Sequence, residues 1–173
     1  AGGVFKPGDE VVVLPSGLTS RITVIETYDG PVDEAFAPMS VTIRLSDDID
    51  VSRGDMICRV NNRPIVAQDV DAMVCWLSDA AELTPRTKLA IKHTTRSARA
   101  LVNDLQYRLD INTLHRDESA ERLALNEIGR VTMRVTQPLF IDEYRRNRVT
   151  GSFILMDEAT DTTVGAGMLL AGS

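Results

Sequence analysis

The sequence predicts an all-β protein built from two consecutive small β-barrels. Short apolar runs alternate with polar residues, turn-forming residues separate these runs at close intervals, and no stretch has a convincing amphipathic helix pattern. Such runs fill about the first 60 residues, a density of short strands that is typical of a small barrel or sandwich. With 43% hydrophobic and 25% charged residues, the chain of 173 residues has enough apolar material for a packed core.

The first part of the chain contains four predicted strands. Residues 10–14 (EVVVL) and 20–27 (SRITVIET) are separated by a proline and a glycine, so together they predict a hairpin. Residues 40–45 (SVTIRL) alternate apolar with polar side chains, as a half-buried strand does. A polar connection then leads to residues 56–60 (MICRV).

The domain boundary is predicted at Arg63, within the segment NNRP of residues 61–64. This segment groups turn-forming residues and ends in a proline, which disfavours the helical conformation for the residue before it. The predicted domains are therefore residues 1–63 and 64–173. The first carries 6 basic and 10 acidic residues and the second 13 and 15, so both are acidic.

The second part is also predicted to consist mainly of strands. In residues 71–79 (DAMVCWLSD), the side chains on both faces of the predicted strand are mainly apolar. This pattern predicts a strand that is covered on both faces. In residues 87–95 (TKLAIKHTT), Leu89 and Ile91 point to one face. We assign His93 to the polar side of this strand, as a solvated surface residue.

A long strand is predicted over residues 101–111. Its alternation places Leu101 and Leu105 on one face and Val102 on the opposite face. Residues 116–129 offer the only helical pattern, limited to a turn or two, because their apolar residues fit neither period well.

The last predicted elements are a strand and a hairpin. Residues 130–136 alternate apolar with polar side chains until Pro138, which is expected to end the strand. The final hairpin should have its turn over residues 157–161, a segment rich in aspartate and threonine.

The sequence contains no convincing nucleotide or catalytic site. It has no Gly-Lys pair, so a phosphate loop of the GxxxxGK[ST] type is excluded. Gly165 and Gly167 lack the third glycine of a dinucleotide fingerprint, and close packing against a strand is the favoured interpretation. His93 and His115 fall in different elements, and no nucleophile has a base beside it.

The composition favours a cytoplasmic protein without a membrane span. The apolar runs fall far short of the roughly 18 residues that a span requires, and the N-terminus lacks the pattern of a secretory signal. Cys58 and Cys75 lie in apolar segments that suit buried, reduced thiols. A net charge of −6 disfavours sequence-independent binding of nucleic acid.

Several segments carry a family resemblance. The turns PGD (7–9), LPSG (14–17) and SRGD (52–55) resemble those that punctuate the second domain of translation-factor-like GTPases. The segments LNEIGRV (125–131) and NRVTGSFILMDEAT (147–160) are similar to the third-domain barrel of the GTPase subunit of sulfate adenylyltransferase. This subunit is the large subunit of bacterial ATP sulfurylase, and the resemblance covers essentially the whole chain.

The resemblance implies a role in sulfate assimilation. The family's subunit uses GTP hydrolysis to drive formation of adenylyl sulfate from ATP and sulfate on a partner adenylyltransferase subunit, and some members are fused to an adenylylsulfate kinase. This chain has no GTPase or kinase motif, so we expect only the translation-factor domains II and III, with the first strand of domain II missing. GTP and Mg²⁺ are implied for a GTPase domain of the parent. No cofactor, metal or catalytic residue is expected here.

The implied function is a non-catalytic module that contacts the adenylyltransferase subunit and the parent's own GTPase domain. The residues expected to make domain or subunit contacts are Arg53, Asp55, Arg146, Asn147 and Arg148. One alternative is the tRNA-binding barrel module of a translation elongation factor, which the acidic charge disfavours. Another is a small β-barrel hydrolase, for which the nucleophile and base are missing. The edge left by a missing strand also predicts self-association.

Overall fold

The computed structural model describes residues 1–170, and every regular element in this range is a β-strand. The predicted all-β class is therefore confirmed. Residue contacts separate a first unit, Ala1–Pro64, from a second unit that begins at Ile65. No helix in the described range has the length and apolar character needed to cross a membrane.

The first unit contains seven strands. Their bounds are β1 Val4–Phe5, β2 Glu10–Leu14, β3 Leu18–Thr27, β4 Gly30–Pro31, β5 Ala35–Phe36, β6 Thr42–Leu45 and β7 Met56–Arg59. β2 and β3 form the predicted antiparallel hairpin. β7 pairs with the other edge of β2, while β4 and β6 pair with β3, and β1 and β5 form a separate two-stranded sheet.

The core of the first unit lies between these strands. Val11, Ile22 and Ile25 are almost completely removed from solvent. Ile43 and Leu45 of β6 pack against them, which confirms the alternation predicted for this strand. Each fully buried side chain of this kind contributes about 1.5–3 kcal/mol of hydrophobic stabilisation.

The second unit is a closed barrel. Its strands are β8 Ile65–Trp76, β9 Lys88–His93, β10 Arg96–Leu109, β11 Arg116–Asp117, β12 Ile128–Ile141, β13 Ser152–Met156 and β14 Thr163–Leu169. Six of them follow the order β10-β12-β8-β14-β13-β9, and β9 pairs with β10 to close the ring. β11 extends the edge of β10. The predicted final hairpin is confirmed as β13 and β14.

Large apolar side chains fill the barrel. Trp76, Met133 and Leu155 are at most 2% exposed and belong to one continuous core. The indole Nε1 of Trp76 donates a hydrogen bond of 2.6 Å to the carbonyl oxygen of Ala81, so the polar atom of this ring is satisfied. Alternation along the strands directs one face of each strand into this core.

The helical turn predicted within residues 116–129 is wrong. β11 occupies its start, and Leu83 and Leu123 form an antiparallel bridge that buries Leu123 completely. Asn126 adopts a left-handed conformation with a φ of 64° in the turn that leads to β12. The apolar residues of this segment fit neither the helical nor the strand period, because they lie in an isolated β-bridge and in a turn.

The faces predicted for residues 101–111 are also wrong. Leu101 is 39% exposed, whereas Ala100 and Val102 are buried. The pairing of β10 with β12 shifts between Val102 and Asp104, and this bulge returns Leu105 to the interior. One extra residue therefore exchanges the two faces of the strand.

β12 matches its predicted alternation but runs further than expected. Val131 and Met133 point into the core as predicted. Pro138 does not end the strand, because pairing with β8 resumes after a register shift between Arg134 and Leu139. The proline is accommodated within this irregular stretch, where ladder hydrogen bonds are interrupted.

Candidate interaction surface on the second barrel

The outer side of the second barrel carries a mainly apolar row of side chains. In register across β12, β8, β14, β13 and β9, this row consists of Ile128, Cys75, Ala166, Ile154 and Lys92. The side chains that flank Cys75, Ile154 and Lys92 along their strands point towards the core, so the row itself faces away from it.

A second row lies beside the first. Met73 pairs with Met168, and Met168 pairs with Ser152. Met73 is half-buried and Met168 is 41% exposed. The two rows line an open depression, which we call the outer groove. Its floor consists of Met73, Cys75, Ile128, Ile154, Ala166 and Met168.

The prediction that β8 is covered on both faces is wrong for its outer face. Val74 and Trp76 fill the core, but Met73 and Cys75 remain partly exposed. A barrel strand has one interior face, and within residues 1–170 the other face of β8 borders the open groove. A side chain of another molecule that entered this depression would meet mainly apolar groups.

The rim of the outer groove carries positive charge. Lys92, Tyr144, Arg148 and Val149 border it, and none of the lining residues within 1–170 carries a carboxylate. Among the described residues, neither Lys92 nor Arg148 makes an ion pair. The groove therefore combines an apolar floor with two cations for which the described residues supply no ion-pair partner.

The segment that carries Arg148 is tied to the barrel by His93. The Nε2–H of His93 donates a hydrogen bond of 2.8 Å to the carbonyl oxygen of Thr150. The hydroxyl of Thr150 donates a hydrogen bond of 2.7 Å to Asp142, at the other end of the same segment. These bonds fix both ends of the rim.

The prediction that His93 is a solvated surface residue is wrong. Leu89, Ile91 and His93 are alternate residues of β9, and all three point into the barrel. His93 is only 1% exposed. The charged neighbours Lys92 and Arg96 suggested a polar side, but alternation along the strand decides the direction of the ring.

Burial determines the charge of His93. It lowers the pKa of the ring from the ordinary value of 6.5, although the hydrogen bond to Thr150 and the nearby carboxylate of Asp142 oppose this shift. The ring is therefore neutral near pH 7. Since Nε2 faces a carbonyl oxygen, which only accepts hydrogen bonds, that nitrogen carries the proton. His93 thus supports the rim from inside the barrel.

The candidate contact residues of the second unit occupy different positions. Arg148 lies on the rim of the groove, and Arg146 is exposed on the same segment. Asn147 is half-buried, and its side-chain oxygen accepts hydrogen bonds from the backbone N–H groups of Val149 and Thr150, at 3.1 and 3.5 Å. Asn147 therefore shapes the turn that presents its two arginine neighbours.

The candidate contact residues of the first unit lie before β7. Arg53 is exposed, and Asp55 is half-buried. The carboxylate of Asp55 accepts a hydrogen bond of 2.9 Å from the backbone N–H of Ser52, and its own N–H donates to the Ser52 carbonyl oxygen at 3.0 Å. Asp55 closes the turn, which leaves Arg53 at its exposed tip.

The glycine pair in β14 serves packing. A Cβ at Gly167 would overlap the ring of Phe153, and one at Gly165 would lie 3.3 Å from the indole of Trp76. The favoured interpretation of these glycines is therefore confirmed. Their backbones belong to the ladder with β8 and β13, an arrangement unlike the loop that wraps a phosphate.

The two cysteines are free, as predicted, but the prediction that both are buried is wrong for Cys75. Cys58 is buried, and burial raises the pKa of its thiol. Cys75 is only partly buried because it lies in the floor of the outer groove. Within residues 1–170, no group of three or more His, Cys, Asp or Glu side chains is arranged to hold a metal ion.

Comparison with known proteins places the closed barrel in a family. Residues 69–170 match the family described as GTP-eEF1A C-terminal domain-like. The chain belongs to the GTP-eEF1A C-terminal domain-like family. The matched residues run from the fifth residue of β8 to the end of β14, so they include the whole outer groove and every barrel strand except the start of β8.

Two curated relatives match nearly the whole chain. The bifunctional enzyme CysN/CysC of Mycobacterium tuberculosis is 58% identical over 170 residues, 98% of this chain. Sulfate adenylyltransferase subunit 1 of Bacteroides fragilis is 42% identical over the same share. The resemblance to the GTPase subunit of sulfate adenylyltransferase is thus confirmed. The chain spans 28% and 35% of the lengths of these two relatives.

Solved structures define the fold. A crystal structure of sup35 complexed with GDP matches with a TM-score of 0.86 and 19% identity, over 98% of this chain and 41% of that one. The structure of sup35 complexed with GMPPNP matches equally well, at 20% identity. The predicted fold class, two consecutive small barrels of the translation-factor type, is confirmed.

Only one strand of the outer groove, β8, shows its apolar outer side chains in the sequence. The apolar character of both faces of β8 was visible, but the partners that extend the outer face were not. The sequence of β14 also indicates part of the groove, because Ala166 and Met168 alternate with Gly165 and Gly167. This alternation directs two apolar side chains to the face opposite the core.

Proposed function

We propose that this chain is a non-catalytic β-barrel module of the GTPase subunit of a sulfate adenylyltransferase. In this role it transmits the nucleotide state of a GTPase domain to the adenylyltransferase subunit that forms adenylyl sulfate from ATP and sulfate. The observation that carries this proposal is the similarity over 98% of the chain to CysN/CysC and to sulfate adenylyltransferase subunit 1, at 58% and 42% identity.

Nucleotide chemistry belongs to another part of the parent protein in this proposal. Gly165 and Gly167 do not fit a phosphate, because side chains pack over them and their backbones are engaged in the barrel ladder. We assign GTP and Mg²⁺ to the GTPase domain and derive no chemical step from the residues of this chain.

The module acts through its surfaces. We assign domain or subunit contacts to Arg53, Arg146 and Arg148, which are exposed. Asp55 and Asn147 belong to the same contact regions, where their side chains hold the turns that present these arginines. Arginine suits such a role because it forms directional hydrogen bonds with carboxylates at interfaces.

A second candidate function is the tRNA-binding module of a translation elongation factor. The likeness of the fold to sup35 and the cationic rim of the groove favour it. The net charge of −6 opposes it, since binding of a phosphate backbone depends on many cations. The sequence similarity to CysN/CysC and to sulfate adenylyltransferase subunit 1 therefore favours the first proposal over this alternative.

A parallel binding experiment tests the proposal. The immobilised chain is offered the adenylyltransferase subunit of the same organism and, separately, total tRNA, each at low and at moderate ionic strength. We expect retention of the subunit and no retention of tRNA. Salt-sensitive retention of tRNA without retention of the subunit would contradict the proposal and favour the elongation-factor alternative.

A further inference from the structure

We propose that the outer groove binds a segment of the adenylyltransferase subunit that presents an apolar side chain beside carboxylates. The identity of the partner rests on the function proposed above. The chemistry of the bound segment rests on the groove itself, through its floor, its rim and the support of the rim.

The floor selects an apolar side chain. Met73, Cys75, Ile154 and Met168 form a continuous surface across β8, β14 and β13, and Met168 is 41% exposed. Covering this surface removes apolar groups from water, which is a favourable step in association. Methionine is flexible and polarisable, so the floor can adapt to the shape of an inserted side chain.

The rim selects carboxylates. Within residues 1–170, Lys92 and Arg148 border the floor without an ion pair, and no lining residue is acidic. Nearby on β12, Arg130 is already paired with Asp71, through contacts of 3.0 and 2.5 Å. The uncompensated positive charge of this face therefore lies beside the groove, where an acidic segment would neutralise it.

The rim is ordered before binding. The segment that carries Arg148 is fixed at Thr150 by the hydrogen bonds to His93 and Asp142, and at Asn147 by its internal turn. A preorganised surface loses less conformational entropy when a partner binds. Lys92 is the next-to-last residue of β9, and its pairing with Ile154 and Ser97 holds its backbone in place as well.

The groove fits a protein segment better than nucleic acid. Binding of single-stranded nucleic acid uses exposed aromatic rings and a track of several cations. Among the residues that line the groove, Phe153 is buried and Tyr144 is half-buried, and only two are cations. An apolar floor with few charges matches the centre and rim of a protein interface.

Variants of the full 173-residue chain test this proposal by calorimetric titration with the adenylyltransferase subunit. Lys92→Glu and Arg148→Glu, combined, should weaken binding by about tenfold or more and reduce its salt dependence. Met168→Asp should weaken binding by a similar factor because it places a charge on the floor. Both changes lie at exposed positions, so circular dichroism should show an unaltered fold.

Two matched variants serve as controls. Lys88→Glu reverses an exposed charge on the same strand and face as Lys92, and Leu101→Asp changes an outward side chain of similar exposure to Met168. Neither residue lines the outer groove. Both controls should bind like the unaltered chain.

The possible outcomes separate the two proposals. Binding of the subunit by the unaltered chain with equal affinity for the groove variants would overturn the groove as the binding surface, while the proposed function would stand. No binding by the unaltered chain would overturn the proposed function and with it this choice of occupant. Loss of self-association in the groove variants, with unchanged binding of the subunit, would identify a second copy as the occupant and overturn the proposal.

Discussion

His93 donates a hydrogen bond of 2.8 Å to the carbonyl oxygen of Thr150, and this bond joins the barrel interior to the segment that carries the rim of the outer groove. The histidine lies in β9, and the threonine lies two residues before the start of the final hairpin. The two residues are 57 positions apart in the sequence. The position of the segment that carries Arg148 therefore depends on a buried, uncharged side chain of β9.

Acidification should destabilise the chain through His93. Burial lowers the folded-state pKa of this ring below its ordinary value of 6.5, so as the pH falls the unfolded chain binds the proton first. Stability is unaffected above the unfolded pKa and decreases from about pH 6.5 down to the lowered folded pKa. His93→Gln should reduce the loss measured between about pH 7.5 and pH 5.5 as a shift of the urea midpoint.

His115→Gln is the matched control for this prediction. His115 is exposed, so its replacement shows how far the urea midpoint changes when a histidine outside the barrel interior is removed. An equal pH dependence in the unaltered chain and in His93→Gln would show that the buried ring contributes nothing to the acid sensitivity.

Gly167→Ala should destabilise the second barrel. The added methyl group would collide with the ring of Phe153, which overpacks the core at a cost of about 1–3 kcal/mol. Gly165→Ala places its methyl group 3.3 Å from the nearest atom of Trp76, so a smaller change is expected. Urea denaturation measures the loss of stability in each variant. A variant at Gly167 that is as stable as the one at Gly165 would contradict the packing described here.

The chain alone should not bind nucleotide. Its glycine pair is packed beneath side chains, and the sequence lacks a phosphate loop. GTP or ATP with Mg²⁺ at millimolar concentration should therefore leave the thermal midpoint unchanged, because a ligand stabilises a protein only when it binds the folded state. A midpoint that rises with nucleotide concentration would reveal a site that neither the motifs nor the geometry indicate.

Cys75 should react with a maleimide faster than Cys58. Cys75 is partly exposed in the groove floor, whereas Cys58 is buried and burial raises the pKa of its thiol. Reaction requires an accessible thiolate, so we expect a difference in rate of about tenfold or more. Mass spectrometry of peptides resolves the two sites, and Cys75→Ser should remove only the fast phase. Equal rates would contradict the exposed position of the groove.

The strands that alternate regularly could be predicted from the sequence. The first hairpin, β6 and the buried set of β12 follow from their periods and from turn residues. The faces of β10 could not be predicted, because the bulge between Val102 and Asp104 depends on the pairing with β12. Pro138 was misleading for a similar reason, since it lies where the ladder is already irregular.

The site was less predictable than the fold. The exposed arginines of residues 144–148 were visible in the sequence, but His93 was assigned to the wrong face because its charged neighbours outweighed the alternation of β9. The outer groove needs the pairing of β8 with β14 and of β14 with β13. The pairing of β8 with β14 joins segments about 90 residues apart, a distance at which local periodicity carries no information.

Protection of Cys75 by a bound partner tests the central claim, that the outer groove receives the adenylyltransferase subunit. The measurement is the rate of maleimide labelling at Cys75 with the subunit present at saturation, with Cys58 as the internal reference and total tRNA as the parallel ligand. The account predicts slower labelling of Cys75 with the subunit and no change with tRNA. Unchanged labelling of Cys75 in the saturated complex, or protection by tRNA alone, would contradict it.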